Sequence, residues 1–333
     1  MLEKMKVVYY LSGPHINVEK GYWLYDELKK DGYEIKSYYL FKYGHSRDFS
    51  TKLYSYFRPI KLLMQSRKND LILLYDVTSA FILIGFIVSL FRLKRKIVAV
   101  NFMGSGNKNG YDKWKRPIIR KALKMMRVGV NNIDLQKLYC KQLRLKEENF
   151  FIVKDCAANV DLFARDCSPA NSQYVFMGGN VHRDWNLFKE IVKDMPEYNF
   201  VAVLGTTELE DCLDLPNLKV YKRIPLSEFN TLVAKCKIVF LPLNTEMQGG
   251  QLVAFQGSMY KKPVIITKCL SINTYYDDTD AIKVPIGNKE ACEKAITNLM
   301  SDDYLCAEIA QNGYNRISEL LPERIYTTIK EQF

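Results

Sequence analysis

Two adjacent glycines, Gly249 and Gly250, stand where a polar run, Asn244–Gln248, gives way to a helical stretch beginning at Gln251. A strand-like run ends just upstream at Leu241-Pro242. The first N–H groups of a helix have no intrahelical partner, and the helix dipole adds partial positive charge there. That combination can hold an anion, phosphate above all, and glycine lets the anion approach the backbone. The same pair also reads as an ordinary turn before a helix. The helix closes at Lys261-Lys262-Pro263, and a β-branched run, Val264–Thr267, follows at once.

Other chemistries are not signalled. The three histidines are far apart in the chain and form no metal-ligand spacing. Asp277-Asp278 and Asp302-Asp303 read as a turn and a helix start rather than as part of an Asp-x-Asp metal site, and no Walker or Gly-x-Ser-x-Gly pattern occurs. The eight cysteines include no C-x-x-C pair, which suggests neither a zinc knuckle nor a disulfide framework and fits a reducing cytoplasm. The opening segment, MLEKMKVVYYLSG, lacks the features of a secretory signal.

Charge is unevenly spread. Residues 1–165 carry 31 Lys+Arg against 15 Asp+Glu, and residues 166–333 carry 17 against 22. A basic front half suits an anionic partner, whether nucleic acid, anionic lipid or acidic substrate, or is simply a solvated lysine-rich surface. No nucleic-acid fold signature or interleaved aromatic stripe accompanies it, so nucleic acid is not expected. Leu71–Phe91 approaches the length of a membrane span, but Asp76, Thr78 and Ser79 divide it into a strand, a capped turn and a helix. The basic run Arg92–Lys96 follows directly, so that helix could instead lie on an anionic leaflet.

These features must be positioned by alternating strands and helices. Strand-like runs fall at 7–11, 35–41, 71–75, 97–102, 128–130 and 150–153, and again at 174–177, 200–204, 218–221, 238–241, 264–267 and 282–284. Helical stretches lie between them, for example 22–30, 117–126, 185–193, 226–234, 251–260 and 289–300. Alternation of this kind predicts two α/β domains, each a parallel sheet covered on both faces. The expected layout is 1–167, 168–310 and a helical tail, 311–333, that packs back on the first domain. Ser168, Pro169, Asn171 and Ser172 mark the linker. Ligands of open parallel sheets sit beyond the carboxyl ends of the strands, so two facing domains would enclose a cleft.

The segment Gln256-Gly-Ser-Met-Tyr-Lys-Lys-Pro-Val-Ile265 resembles glycosyltransferase family 4 and its neighbours, in which Glu-Ala-Met-Ala precedes Gly-Lys-Pro-Val-Ile. Ala158–Phe163, Phe176–Trp185, Ile224–Pro242 and Ala281–Gly313 follow in the family's order, so the resemblance covers roughly 128–320. It implies the GT-B fold, two Rossmann-like doubly wound domains facing across a cleft, and transfer of a sugar from a UDP- or GDP-linked donor. Gly178, Gly179, Arg183, Gly249, Gly250 and Gln251 would hold the diphosphate, Arg223 and Ile224 would meet the base, and Gln256 the ribose. No cofactor and no metal is implied.

The sequence departs from the family where its paired glutamates fall on Gln248 and Gln256, which are neutral. The implied acceptor is a glycan or lipid-linked intermediate of cell-surface polysaccharide synthesis, at the cytoplasmic face of a membrane. Asp112, after the glycine-rich run 104–110, and His15, in a loop expected after the first strand, are candidate general bases for an inverting reaction. A non-catalytic partner subunit of the same fold, a nucleotide-sugar epimerase and a membrane receptor are the rival readings.

Overall fold

The computed structural model describes residues 7–15, 23–42, 49–75, 78–102, 113–158, 173–205, 215–246 and 249–333; of 13–15, 41–42, 49–55 and 78 it describes the backbone alone. The linker 168–172 and the glycine-rich run 104–110 lie outside these residues. The chain divides into two units, Met1–Cys156 with Pro322–Phe333, and Ala157–Leu321.

The first unit runs β1 (Val7–His15), α1 (Trp23–Lys30), β2 (Glu34–Lys42), α2 (Phe49–Gln65), β3 (Leu71–Tyr75), α3 (Thr78–Leu90), β4 (Lys96–Val100), α4 (Arg116–Leu123), β5 (Arg127–Val130), α5 (Ile133–Leu143) and β6 (Phe150–Ile152). All its strands pair in parallel, in the order β2-β1-β3-β4-β5-β6. Central strands bury both faces, so β3 is a continuous apolar run rather than an alternating one. Phe81, Phe102, Tyr139 and Phe150 form an aromatic chain through the core between sheet and helices.

The second unit runs β7 (Tyr174–Gly178), α6 (Trp185–Asp194), β8 (Asn199–Leu204), β9 (Leu218–Lys222), α7 (Leu226–Lys235), β10 (Ile238–Leu241), α8 (Gln251–Met259), β11 (Val264–Thr267), α9 (Leu270–Tyr275), β12 (Ile282–Val284), α10 (Lys289–Ser301) and α11 (Asp303–Ile317). Its parallel order is β12-β11-β10-β7-β8-β9. Side-chain caps start the helices where the sequence offers Asp or Asn: Asp184, Asn288 and Asp302 each accept from a backbone N–H three residues on. Phe188 is the centre of the core, edge-on to Phe200 and Trp185. The last helix, α12 (Pro322–Lys330), returns to the first unit, while α11 stays with the second.

Each sheet grows outward in both directions from its first strand. The direction changes between β1 and β3 in the first unit and between β7 and β10 in the second. Such a switch point leaves a crevice at the carboxyl ends of the strands, where open α/β sheets bind ligands.

One sequence expectation needs correcting. Ser12–His15 is the continuation of β1, with Pro14 opposite Phe41 and His15 opposite Lys42. The described pairing of β1 with β3 ends at Ser12, so Pro14, which has no N–H to donate, costs no bond on that side.

Candidate functional site

The switch point of the second unit is built by the loops that leave β7 and β10. Gly178 ends β7, and Gly179 turns the chain at φ +100°. Arg183 then folds back. Its Nε donates to the Gly178 carbonyl at 2.8 Å and its Nη1 to the Val181 carbonyl at 3.0 Å. A β-carbon at position 179 would stand 2.6 Å from Arg183 Nη2, so only glycine leaves room for the guanidinium.

The two loops are stitched together. Arg183 bridges Leu243, Asp184 N–H donates to the Pro242 carbonyl at 2.9 Å, and Asn244 N–H donates to the His182 carbonyl at 3.1 Å. Leu243 N–H in turn donates to Thr267 Oγ1 at 2.8 Å, at the end of β11. The loop continues to Gly249, whose N–H donates to Ser271 Oγ at 3.2 Å. Gly250 caps α8 at φ +78°, a left-handed turn suited to glycine, and Gln251 opens the helix.

Arg183 is 6% exposed, and burial pushes its guanidinium down to about 10, so it stays charged at neutral pH. Among the described residues no carboxylate is paired with it. A buried cation without a counter-charge is costly, and an anion placed beside it offsets that cost. With the N-terminus of α8 opening from the neighbouring loop, the arrangement suits a phosphate-bearing ligand.

Two further strand ends join this edge. Asn180 Oδ1 accepts from Gly205 N–H at 2.8 Å, after β8. Arg223, after β9, donates through its backbone N–H to the Leu204 carbonyl at 2.9 Å and through Nε to the Gly205 carbonyl at 3.2 Å. Ile224 follows, half-buried. Gln256, on α8, is buried, and its Nε2 donates to Asn230 Oδ1 of α7 at 2.9 Å.

Thus Gly178, Gly179, Arg183, Gly249, Gly250 and Gln251 belong to the loops at one switch point, with Arg223 and Ile224 on the same sheet edge. Gln248 and Asp112 lie outside the described residues, as does the side chain of His15. Sequence reasoning passed over Thr267, Asn230 and Ser271. These three and Asn180 act through partners distant in sequence, and only the sheet order brings them in. His182 is exposed at φ +57°, its Cβ close to the position a Gly249 β-carbon would take. Among the described residues no group of three or more His, Cys, Asp or Glu is arranged to hold a metal ion.

The chain has the GT-B fold of two Rossmann-like parallel-sheet units. No protein-family model and no curated protein sequence matches it. Solved structures do. Anabaena Alr3699/HepE in complex with UDP is 14% identical over 98% of this chain and 99% of that one, with a TM-score of 0.71. Sucrose-phosphate synthase of Thermosynechococcus elongatus is 12% identical over 98% of both chains, with a TM-score of 0.73. A Listeria monocytogenes protein described as a UDP-N-acetylglucosamine 2-epimerase is 13% identical over 99% and 97%, with a TM-score of 0.67.

Proposed function

We propose that the chain is a glycosyltransferase whose second unit binds a nucleoside-diphosphate sugar, UDP- or GDP-linked. The observation that carries this reading is Arg183, a buried cation at the switch point with no carboxylate partner among the described residues. The diphosphate lies against Arg183, Gly178-Gly179 and the N-terminus of α8, and the base lies toward Arg223 and Ile224. As the bond from the anomeric carbon to the phosphate oxygen breaks, the leaving diphosphate gains charge, which Arg183 and the helix N-terminus stabilise. The acceptor is a glycan or lipid-linked intermediate held by the basic first unit. His15 and Asp112 are the candidates for the base that takes the acceptor proton.

The test is a thermal-shift screen against UDP, GDP, CDP, ADP and their common sugars, with Arg183→Ala as control. A ligand of the native state raises its apparent stability. A shift by one nucleotide class that the variant loses supports the reading; no shift with any nucleotide on a well-folded protein defeats it. The likeness to the Listeria protein favours a second reading, a nucleotide-sugar epimerase. Conversion of the donor sugar without an acceptor separates the two.

A further inference from the structure

We propose that the outer face formed by α2, α3 and α4 docks on an anionic lipid bilayer. It lies in the first unit and does not depend on the donor site.

A helix covering a sheet normally turns an apolar stripe inward and a polar one outward. α3 has no polar stripe. Its 13 residues include no charge, and Thr78, Ser79 and Ser89 are its polar members. Phe81, Ile84 and Val88 are buried against the sheet. Ile82, Leu83, Phe86 and Ile87 remain half-exposed, and Leu90 and Phe91 beyond them are exposed. The helix is therefore apolar on the side the fold leaves uncovered.

The flanking helices extend that surface. On α2, Phe57, Lys61 and Met64 share one exposed stripe at helical spacing, and Met64 is 81% exposed. Trp114, 69% exposed, precedes α4, and Ile118 is exposed within it. α4 lies hard against α3, where the Ala122 carbonyl and Met126 close on Gly85. Lys121 Nζ sits 5.8 Å from the centroid of the Phe86 ring.

Charge selects the partner. Residues 49–133 hold 17 Lys+Arg against three Asp, and α2, α3 and α4 contain no acidic residue. Lys61, Arg92, Lys94, Lys113, Lys121 and Lys124 are exposed around the apolar groups. α1 and α12 do carry acidic residues, Asp26 and Glu27 on the one and Glu323 on the other, beside Lys29, Lys30, Arg324 and Lys330. An apolar strip rimmed by cations matches a bilayer of anionic headgroups over acyl chains, with Trp114 at the interface and the lysine stems lying along it. α3 is about 20 Å long, too short for a hydrocarbon core of about 30 Å, so it lies in the interface. No helix of the described residues is long and apolar enough to cross a membrane.

The full chain is sedimented with phosphatidylcholine vesicles, with and without phosphatidylglycerol. Binding is expected on the anionic vesicles alone, weakening with salt. Changing Arg92, Lys94, Lys121 and Lys124 to Gln is expected to lower partitioning about fivefold per cation. Brominated lipid is expected to quench the fluorescence of Trp114, and Trp114→Phe to lose that quenching while still binding. Unchanged melting shows that the variants fold. Equal binding to neutral vesicles, no binding to anionic ones, or indifference to all four substitutions overturns the proposal. So does a solution dimer that Ile118→Glu splits, which would make the face a protein interface.

Discussion

The hydroxyl of Tyr326 donates a hydrogen bond to the carboxylate of Asp31 at 2.6 Å, across 295 positions of sequence. Lys330 Nζ reaches the same oxygen at 2.7 Å, Arg127 donates to Gln332 Oε1, and Phe333 meets the rings of Tyr33 and Tyr326. These contacts fasten α12 to the first unit. The bonds from Lys330 and Tyr326 hold the Asp31 carboxyl below its usual range. A depressed folded value contributes stability above the unfolded value, near 4, and that stability is lost as pH falls through the folded one. Asp31→Ala is expected to cost about 1–2 kcal/mol at pH 7 in denaturant titrations. Wild type and variant should converge in acid; a gap that stays constant with pH would refute the assignment.

Arg183→Ala should abolish stabilisation by nucleotide while changing the ligand-free protein little. The variant loses two bonds to backbone carbonyls but also removes a buried charge. Burial lowers the guanidinium but leaves it charged across the working range, so the nucleotide effect in wild type should be flat from about pH 7 to 9. Isothermal titration across this range checks it.

Gly179→Ala should weaken the protein by about 1–3 kcal/mol, since the turn needs positive φ and the new carbon would press on the guanidinium. It should weaken nucleotide binding as well, because the displaced group is Arg183. Chemical denaturation and titration of one preparation read the two effects together.

Thiol labelling tests the packing. Burial pushes Cys236 and Cys292 up to about 12, and Cys156 higher still. The thiolate is the reactive form, so these three should resist a disulfide reagent at pH 8 until the protein is denatured. Cys140 and Cys306 are half-buried and should label before them. Mass spectrometry of peptides from briefly labelled protein gives the order.

Much of this architecture is legible in the residues alone. The runs Leu71–Tyr75, Ile238–Leu241, Val264–Thr267 and Ile282–Val284 coincide with β3, β10, β11 and β12. Strands of a covered parallel sheet are unbroken apolar segments with polar ends, so composition marks both limits. β1 is harder. Gly13-Pro14 reads as a stop, yet the strand continues because pairing with β2 alone sustains it. No expectation named α2, whose 17 residues enclose Pro59, a residue that reads as a helix breaker.

The site divides in the same way. Gly249-Gly250 and Gly178–Arg183 carry local signals, namely a glycine turn before a helix and a cation near a strand end. Asn180 with Gly205, Leu243 with Thr267, Gly249 with Ser271 and Gln256 with Asn230 are joined across 22 to 26 positions. No local pattern announces such pairs, because the strand order of the sheet creates them. Gln256 makes the point: by resemblance it belongs to the ligand, while its amide is engaged with α7. Gln256→Leu would strand the Asn230 side chain and should cost about 1–3 kcal/mol in denaturant titrations.

The return of α12 also sets a timetable. A nascent chain emerges from its amino end, and domains generally fold as units in that order. Here the unit that starts first is completed last, because Pro322–Phe333 belongs to it while Ala157–Leu321 is continuous. During synthesis the surface at the end of α1 and in the turn at Asp31 and Tyr33 therefore waits uncovered until the whole second unit has been made. A paused or shortened translation product would carry a finished second unit on an unfinished first one, and that bare surface is what a chaperone scanning nascent chains would meet.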